Sequence, residues 1–150
     1  MQTQNLQRKI VTEMPATVIR HGQDIRRRKL RVAAYCRVST DSEEQLNSYK
    51  SQIEYYTNII TENPDWALAG IFPDEGLSGV STKKRKEFNR MMQKCRAGSI
   101  DLIITKSVSR FARNTLDSIG WVRKLKKMGI GIIFEKEGVN TLEMDDEILL

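Results

Sequence analysis

The residues best suited to chemistry are one serine and a set of arginines. Ser39 stands two positions after Arg37 in the run Tyr35-Cys36-Arg37-Val38-Ser39-Thr40. Further on come Arg85 and the stretch Lys106-Ser107-Val108-Ser109-Arg110-Phe111-Ala112-Arg113. A serine hydroxyl is a weak nucleophile and needs activation. Histidine is not at hand, because His21 is the sole one and falls in an N-terminal stretch without apolar periodicity. A Ser-His-Asp triad or a histidine-based metal site inside the fold is therefore excluded. Arginine offers another route. Each guanidinium grips phosphate oxygens in a planar fork and stays charged. Clustered arginines lower a serine pKa and stabilise charge growing on phosphoryl oxygens. The chemistry this suggests is arginine-assisted attack by Ser39 on a phosphate diester, with Arg37, Arg85, Arg110 and Arg113 as the cations.

Other groups offer less. Cys36 and Cys95 are too few for a disulfide scaffold and lack the paired spacing of a zinc site, so no metal is expected. Cys36 is not a phosphatase-type nucleophile, since Ser42 stands where such a site needs its arginine. The arginines and Ser39 also have plainer readings when taken singly. Ser39 or Thr40 fits a helix cap after a strand. Arg110 and Arg113, and the run from Lys83 to Lys86, fit solvated faces. Met91 and Met92 fit core filler.

Periodicity gives the elements that must position these groups. Leu30 to Cys36 is short, apolar and rich in strand formers. From about Ser42 to Thr61, Leu46, Tyr49, Ile53, Tyr56 and Ile60 recur at alternating spacings of three and four, which predicts an amphipathic helix stopped by Asn63-Pro64. Trp66 to Phe72 reads as a second strand. Pro73 to about Arg85 carries glycine, proline, serine and charge, and predicts a long mobile loop. Phe88, Met91, Met92 and Cys95 mark a second helix ended by Gly98. Ile100 to Thr105 is a third strand, and Lys106 to Asn114 a polar, basic connection. Thr115 to Met128 is a third helix with Leu116, Ile119, Val122 and Leu125 inward and Gly129 as its stop. Ile130 to Phe134 is a fourth strand. Glu143 to Leu150 begins another helix, with Asp145-Asp146-Glu147 as its acidic start and no stop signal before the last residue. Residues 1–29 read as a flexible extension, leaving 30–150 as the domain, cut at the start of a long helix.

Strands alternating with helices predict an α/β fold: three layers, a mostly parallel sheet of four to five strands, helices on both faces. In such folds ligands gather at the carboxyl ends of strands. Arg37 and Ser39 follow strand one, Ser78 and Arg85 follow strand two, and Lys106, Ser109, Arg110 and Arg113 follow strand three. All three clusters thus fall on one edge of the sheet. The net charge of +6 and pI near 9.4 favour a polyanionic partner. No apolar run approaches the ~20 residues that span a bilayer, and there is no apolar signal core. A nucleotide-binding α/β domain would need a Gly-rich turn after strand one, where Arg37-Val38-Ser39 stands instead.

Three motifs carry a family resemblance. Tyr35-Cys36-Arg37-Val38-Ser39-Thr40 resembles the nucleophile motif of the serine site-specific recombinases, the resolvase and invertase group. The stretch from Lys106 to Thr115 resembles their second arginine motif, and Asp74-Glu75-Gly76-Leu77-Ser78-Gly79 the loop between. The resemblance runs from about Leu30 to Leu150. The wording of the second motif and the Tyr55-Tyr56 pair look most like the large members from phages and mobile elements. The resemblance implies a resolvase-like catalytic domain that acts on double-stranded DNA in the bacterial cytoplasm. Ser39 would form a 5′-phosphoserine link, with Arg37, Arg110 and Arg113 on the scissile phosphate. Arg85, Gln52, Ser78, Tyr35, Ser109 and Lys106 would bind phosphate or support the site. It further implies dimers that meet as tetramers, and no metal or nucleotide cofactor. One departure stands out: many small resolvases carry an aspartate where this chain has Ser109, so no carboxylate there can serve as general acid or base. A silent assembly domain of the same fold is the competing reading. Against it, all three motif arginines are present.

Overall fold

A computed structural model describes residues 28–38, 42–75, 85–112 and 114–144. The central strand β1 (Leu30–Val38) is apolar on both sides because both its faces are covered. Ala33 and Tyr35 enter one core, whereas Val32, Ala34, Cys36 and Val38 enter the other. The remaining elements are α1 (Glu43–Glu62), β2 (Trp66–Glu75), α2 (Lys86–Arg96), β3 (Leu102–Thr105), the short α3 (Val108–Phe111), α4 (Thr115–Lys127), β4 (Gly131–Phe134), β5 (Val139–Asn140) and a 3-10 turn at Thr141–Glu143.

The sheet order is β2-β1-β3-β4-β5, parallel except for β5, which returns against β4 as a hairpin. The chain steps outward from β1 to β2, then back past β1 to β3 and on to β4. Parallel crossovers are right-handed, so reversing direction moves the covering helix to the other face. Accordingly α1 packs in the core of Val32, Ala34 and Cys36, while α2, α3 and α4 pack with Ala33 and Tyr35. The α/β, three-layer expectation holds. The reversal also makes a switch point: the segments leaving β1 and β3 part to opposite faces. That is where α/β sheets open a crevice.

Several expectations need correction. The strand expected to end at Phe72 runs on through Pro73, Asp74 and Glu75. Proline interrupts a central ladder, but β2 is an edge strand, so the missing N–H costs little there. Lys106 to Asn114 is more than a connection, because it contains α3, whose Phe111 is fully buried. Leu116 is 79% exposed rather than inward, and the buried face of α4 is made by Ser118, Val122 and Leu125. A strict three-residue ladder falls short of a full turn by about 60° at each step, so Leu116 ends opposite Leu125. Glu143 closes a 3-10 turn instead of opening an α-helix. Residues 1–27 of the extension expected at 1–29, residues 76–84 of the expected loop and the acidic helix start at 145–147 lie outside the described residues.

One glycine is required by the backbone. The β1–β2 register slips between Val32 and Ala33, and Gly70 takes φ 154° at the bulge. A Cβ there would stand 2.9 Å from the Phe72 ring.

Candidate active site

The two arginine-bearing segments meet at the switch point. Arg110 Nη1 donates to the Arg37 carbonyl oxygen at 3.0 Å, tying the segment after β3 to the end of β1. Thr105 Oγ1 makes a second tie, donating to the Tyr35 carbonyl at 3.0 Å. Behind them, Ser107 caps α3: its buried hydroxyl accepts from Arg110 N at 3.3 Å and lies 3.1 Å from Ser109 Oγ. The turn after β4 braces the same segment. Glu135 N donates to the Thr105 carbonyl at 3.0 Å and Lys136 N to the Lys106 carbonyl at 2.7 Å. Glu137 Oε1 accepts from Val108 N at 3.2 Å.

A buried network supports β1 from the α2 side. The Tyr35 hydroxyl donates to Asp74 Oδ2 at 2.8 Å and accepts from Arg85 Nε at 3.2 Å. Asp74 also accepts from Glu87 N at 2.8 Å and Phe88 N at 3.1 Å, so β2 supplies the missing side-chain cap of α2. Arg85 lies 3.6 Å from the centre of the Phe88 ring and donates its Nη2 to the Phe111 carbonyl. Two of its donor nitrogens are therefore engaged within the protein. Burial pushes the Tyr35 phenol well above its ordinary range, with Arg85 opposing, and the hydroxyl stays protonated as the donor to Asp74.

On the α1 side, a cleft of about 630 Å³ is lined by Ser48, Ser51, Gln52, Tyr55, Tyr56, Lys106, Glu135 and Lys136. Tyr55 and Tyr56 each donate to one oxygen of Glu135, at 2.9 and 2.6 Å. Burial foremost, then the Glu135 carboxylate, raises the Tyr56 phenol. The same two causes push the buried Cys36 thiol up to about 12, which removes it as a nucleophile.

Ion pairing takes up some of the described arginines and not others; Arg96 and Arg123 also lack a carboxylate partner among the described residues, so it is position at the sheet edge that marks the cations of this site. Arg31 pairs with Asp101 at 3.0 Å and Arg90 with Glu87 at 2.8 Å. Among the described residues, Arg37, Arg85, Lys106 and Arg110 have no carboxylate within ion-pairing distance. Guanidiniums left without carboxylates at the carboxyl edge of a parallel sheet suit an anion. Among the described residues no group of acidic, histidine or cysteine side chains could hold a metal ion.

Of the residues marked by sequence, the fold joins Tyr35 with Arg85, Arg37 with Arg110, and Gln52 with Lys106, while Ser109 is held by Ser107. Ser39, Ser78 and Arg113 lie outside the described residues. The cap of α1 is Ser42, whose hydroxyl accepts from Gln45 N at 3.1 Å. Glu135 and Glu137 are not among the residues the sequence marks, and Asp74 appears there only within the loop motif. Each acts across the fold, and no local spacing signals it.

A sequence model of the family described as Resolvase, N terminal domain matches residues 32–150. The chain belongs to the resolvase family. Among solved structures, this resolvase domain is similar to a resolvase family site-specific recombinase from Streptococcus pneumoniae, at 28% identity and a TM-score of 0.66, over 81% of this chain and 83% of that one. It shares its fold with the N-terminal catalytic domain of TP901-1 integrase, at 21% identity and TM-score 0.54, over 79% and 86% of the two chains. It also shares it with the C-terminal catalytic domain of ISC1926 TnpA, an IS607-like serine recombinase, at 24% identity and TM-score 0.58, over 71% and 70%. No curated protein matches the resolvase chain in sequence. The serine-recombinase resemblance carried by the three motifs is borne out, as is the fold class. No helix among the described residues is long and apolar enough to cross a membrane.

Proposed function

We propose that this domain cuts and rejoins double-stranded DNA in site-specific recombination, with Ser39 as the nucleophile. The observation that carries the reading is the hydrogen bond from Arg110 to the Arg37 carbonyl. It fastens one arginine segment to the strand that leads into Ser39, and neither guanidinium has a carboxylate partner among the described residues. The family and the Streptococcus pneumoniae relative support the same activity.

In this reaction the Ser39 oxygen attacks a backbone phosphorus. The bond from phosphorus to the 3′ oxygen breaks, leaving a 5′-phosphoserine link and a free 3′ hydroxyl. The ester keeps the bond energy, so a second 3′ hydroxyl can reverse the step after strand exchange. Arg37, Arg110 and Arg113 hold the phosphate and balance charge on its oxygens. Arg85, Tyr35 and Asp74 fix the shape of the strand end rather than reach the phosphate. The domain works in dimers that pair as a tetramer, because two duplexes must be cut before ends are exchanged.

The test is covalent capture on a nicked duplex whose cleaved fragment is released. The full-length protein is expected to give a protein–DNA adduct on a denaturing gel, and Ser39→Ala none. An adduct undiminished in Ser39→Ala overturns the assignment.

A further inference from the structure

The cleft on the α1 side has a composition that the serine and arginines do not use. Ser48, Ser51 and Gln52 occupy one face of α1, at positions that stack turn upon turn. They present neutral hydroxyls and an amide. Facing them are Lys106 and Lys136, whose backbones are joined by a 2.7 Å hydrogen bond, so their stems leave from neighbouring points. Neither ammonium has a carboxylate partner among the described residues. The one carboxylate in the lining, Glu135, has each oxygen engaged by a tyrosine hydroxyl. Two cations against one anchored anion leave the cleft net positive. Neutral donors beside lysine point charges are the groups that contact DNA backbone oxygens. The cleft lies at the carboxyl ends of β3 and β4, where Lys106 and Glu135 follow, and its Tyr56 packs in the core on the opposite face of the sheet from the Tyr35 network.

We infer that this cleft holds a DNA backbone phosphate other than the scissile one, with Lys136 and Lys106 as its cations and Ser48, Ser51 and Gln52 as neutral donors. The inference rests on the reading of the domain as DNA-cleaving. It adds a second grip on the strand, so that the scissile phosphate is presented at a fixed offset from the arginines. No base is read there, and the contribution is to affinity and register, not sequence choice.

The salt dependence of binding tests it. Affinity of the full-length protein for a fluorescein-labelled DNA duplex is measured by anisotropy across a sodium chloride series. Losing one phosphate contact lowers the slope of log affinity against log salt by ~0.9. Lys136→Ala is expected to show that loss, with unchanged thermal unfolding. Lys136→Arg should keep the native slope, and Ser51→Glu should weaken binding by repulsion. Lys94→Ala, in the last turn of α2, should leave the slope as it is. A native slope in Lys136→Ala, with a reduced slope in Arg110→Ala, overturns the cleft and spares the arginine site. A native slope in both variants overturns the arginine site as well.

Discussion

Replacing Asp74 by alanine should loosen the whole α2 side of the site. The carboxylate accepts three hydrogen bonds: from the Tyr35 hydroxyl at 2.8 Å, Glu87 N at 2.8 Å and Phe88 N at 3.1 Å. Losing a side-chain helix cap costs about 1 kcal/mol. The Tyr35 hydroxyl would keep Arg85 as a donor but lose its acceptor inside the core, which costs about 1–3 kcal/mol. The expected total is roughly 3 kcal/mol, or a fall in Tm of about 6–12 °C for a domain of this size. Urea unfolding of the purified chain, followed by circular dichroism, gives the number. Asp74 also ties β2 to β1 through the Tyr35 hydroxyl, so the decisive measurement is a cycle with Tyr35→Phe. If the phenol-to-carboxylate bond is what joins β1 to β2 here, the coupling energy should be about 1.5 kcal/mol or more, as for hydrogen bonds to charged groups. Additive effects, with coupling below about 0.5 kcal/mol, would refute the network.

Two further outcomes follow from the other edge of the sheet and from its bulge. Arg31, by hydrogen bonds first, holds the Asp101 carboxyl below its usual range. A depressed folded pKa means the stabilisation is present above the unfolded value, near ~4, and disappears as pH falls through the lower folded value. Acid titration of unfolding should therefore show a loss in that window that Asp101→Asn abolishes, and an unchanged profile in the variant would count against the pair. Gly70→Ala should destabilise by about 1–3 kcal/mol, since φ 154° and the Phe72 ring 2.9 Å away both oppose a Cβ. A neutral effect in urea unfolding would mean the bulge relaxes.

The order of strands and helices was legible because the buried strands are short continuous apolar runs and the helices repeat at spacings of three and four. The carboxyl-edge convergence of Arg37, Arg85, Lys106 and Arg110 followed from that order alone. What could not be read depended on neighbours in space. Pro73 looked like a strand end, yet sits at ease on an edge strand. Leu116 matched a three-residue ladder that drifts off the buried face of α4. Leu46, at the start of the stripe on α1, remains 39% exposed, and only Tyr56 and Ile60 of that stripe are fully buried. Asp74 is quoted in the loop motif but caps a helix that begins beyond that loop, which no local spacing announces.

That distant cap bears on how the arginines stay available. In the β1–β2 register Asp74 is the partner of Arg37, and opposite charges facing each other across strands ordinarily attract. Here the carboxylate is taken up instead by the first N–H groups of α2 and by the Tyr35 hydroxyl. Arg85 is drawn into the same network, stacked on Phe88. The acid across from Arg37 is thus satisfied by other donors, and no ion pair forms between the two. An arginine neutralised by its cross-strand neighbour would have to break that pair before meeting a phosphate. By spending Asp74 on the α2 cap, the fold keeps Arg37 without a carboxylate partner, while Arg110 is oriented by a carbonyl oxygen that leaves its charge in place.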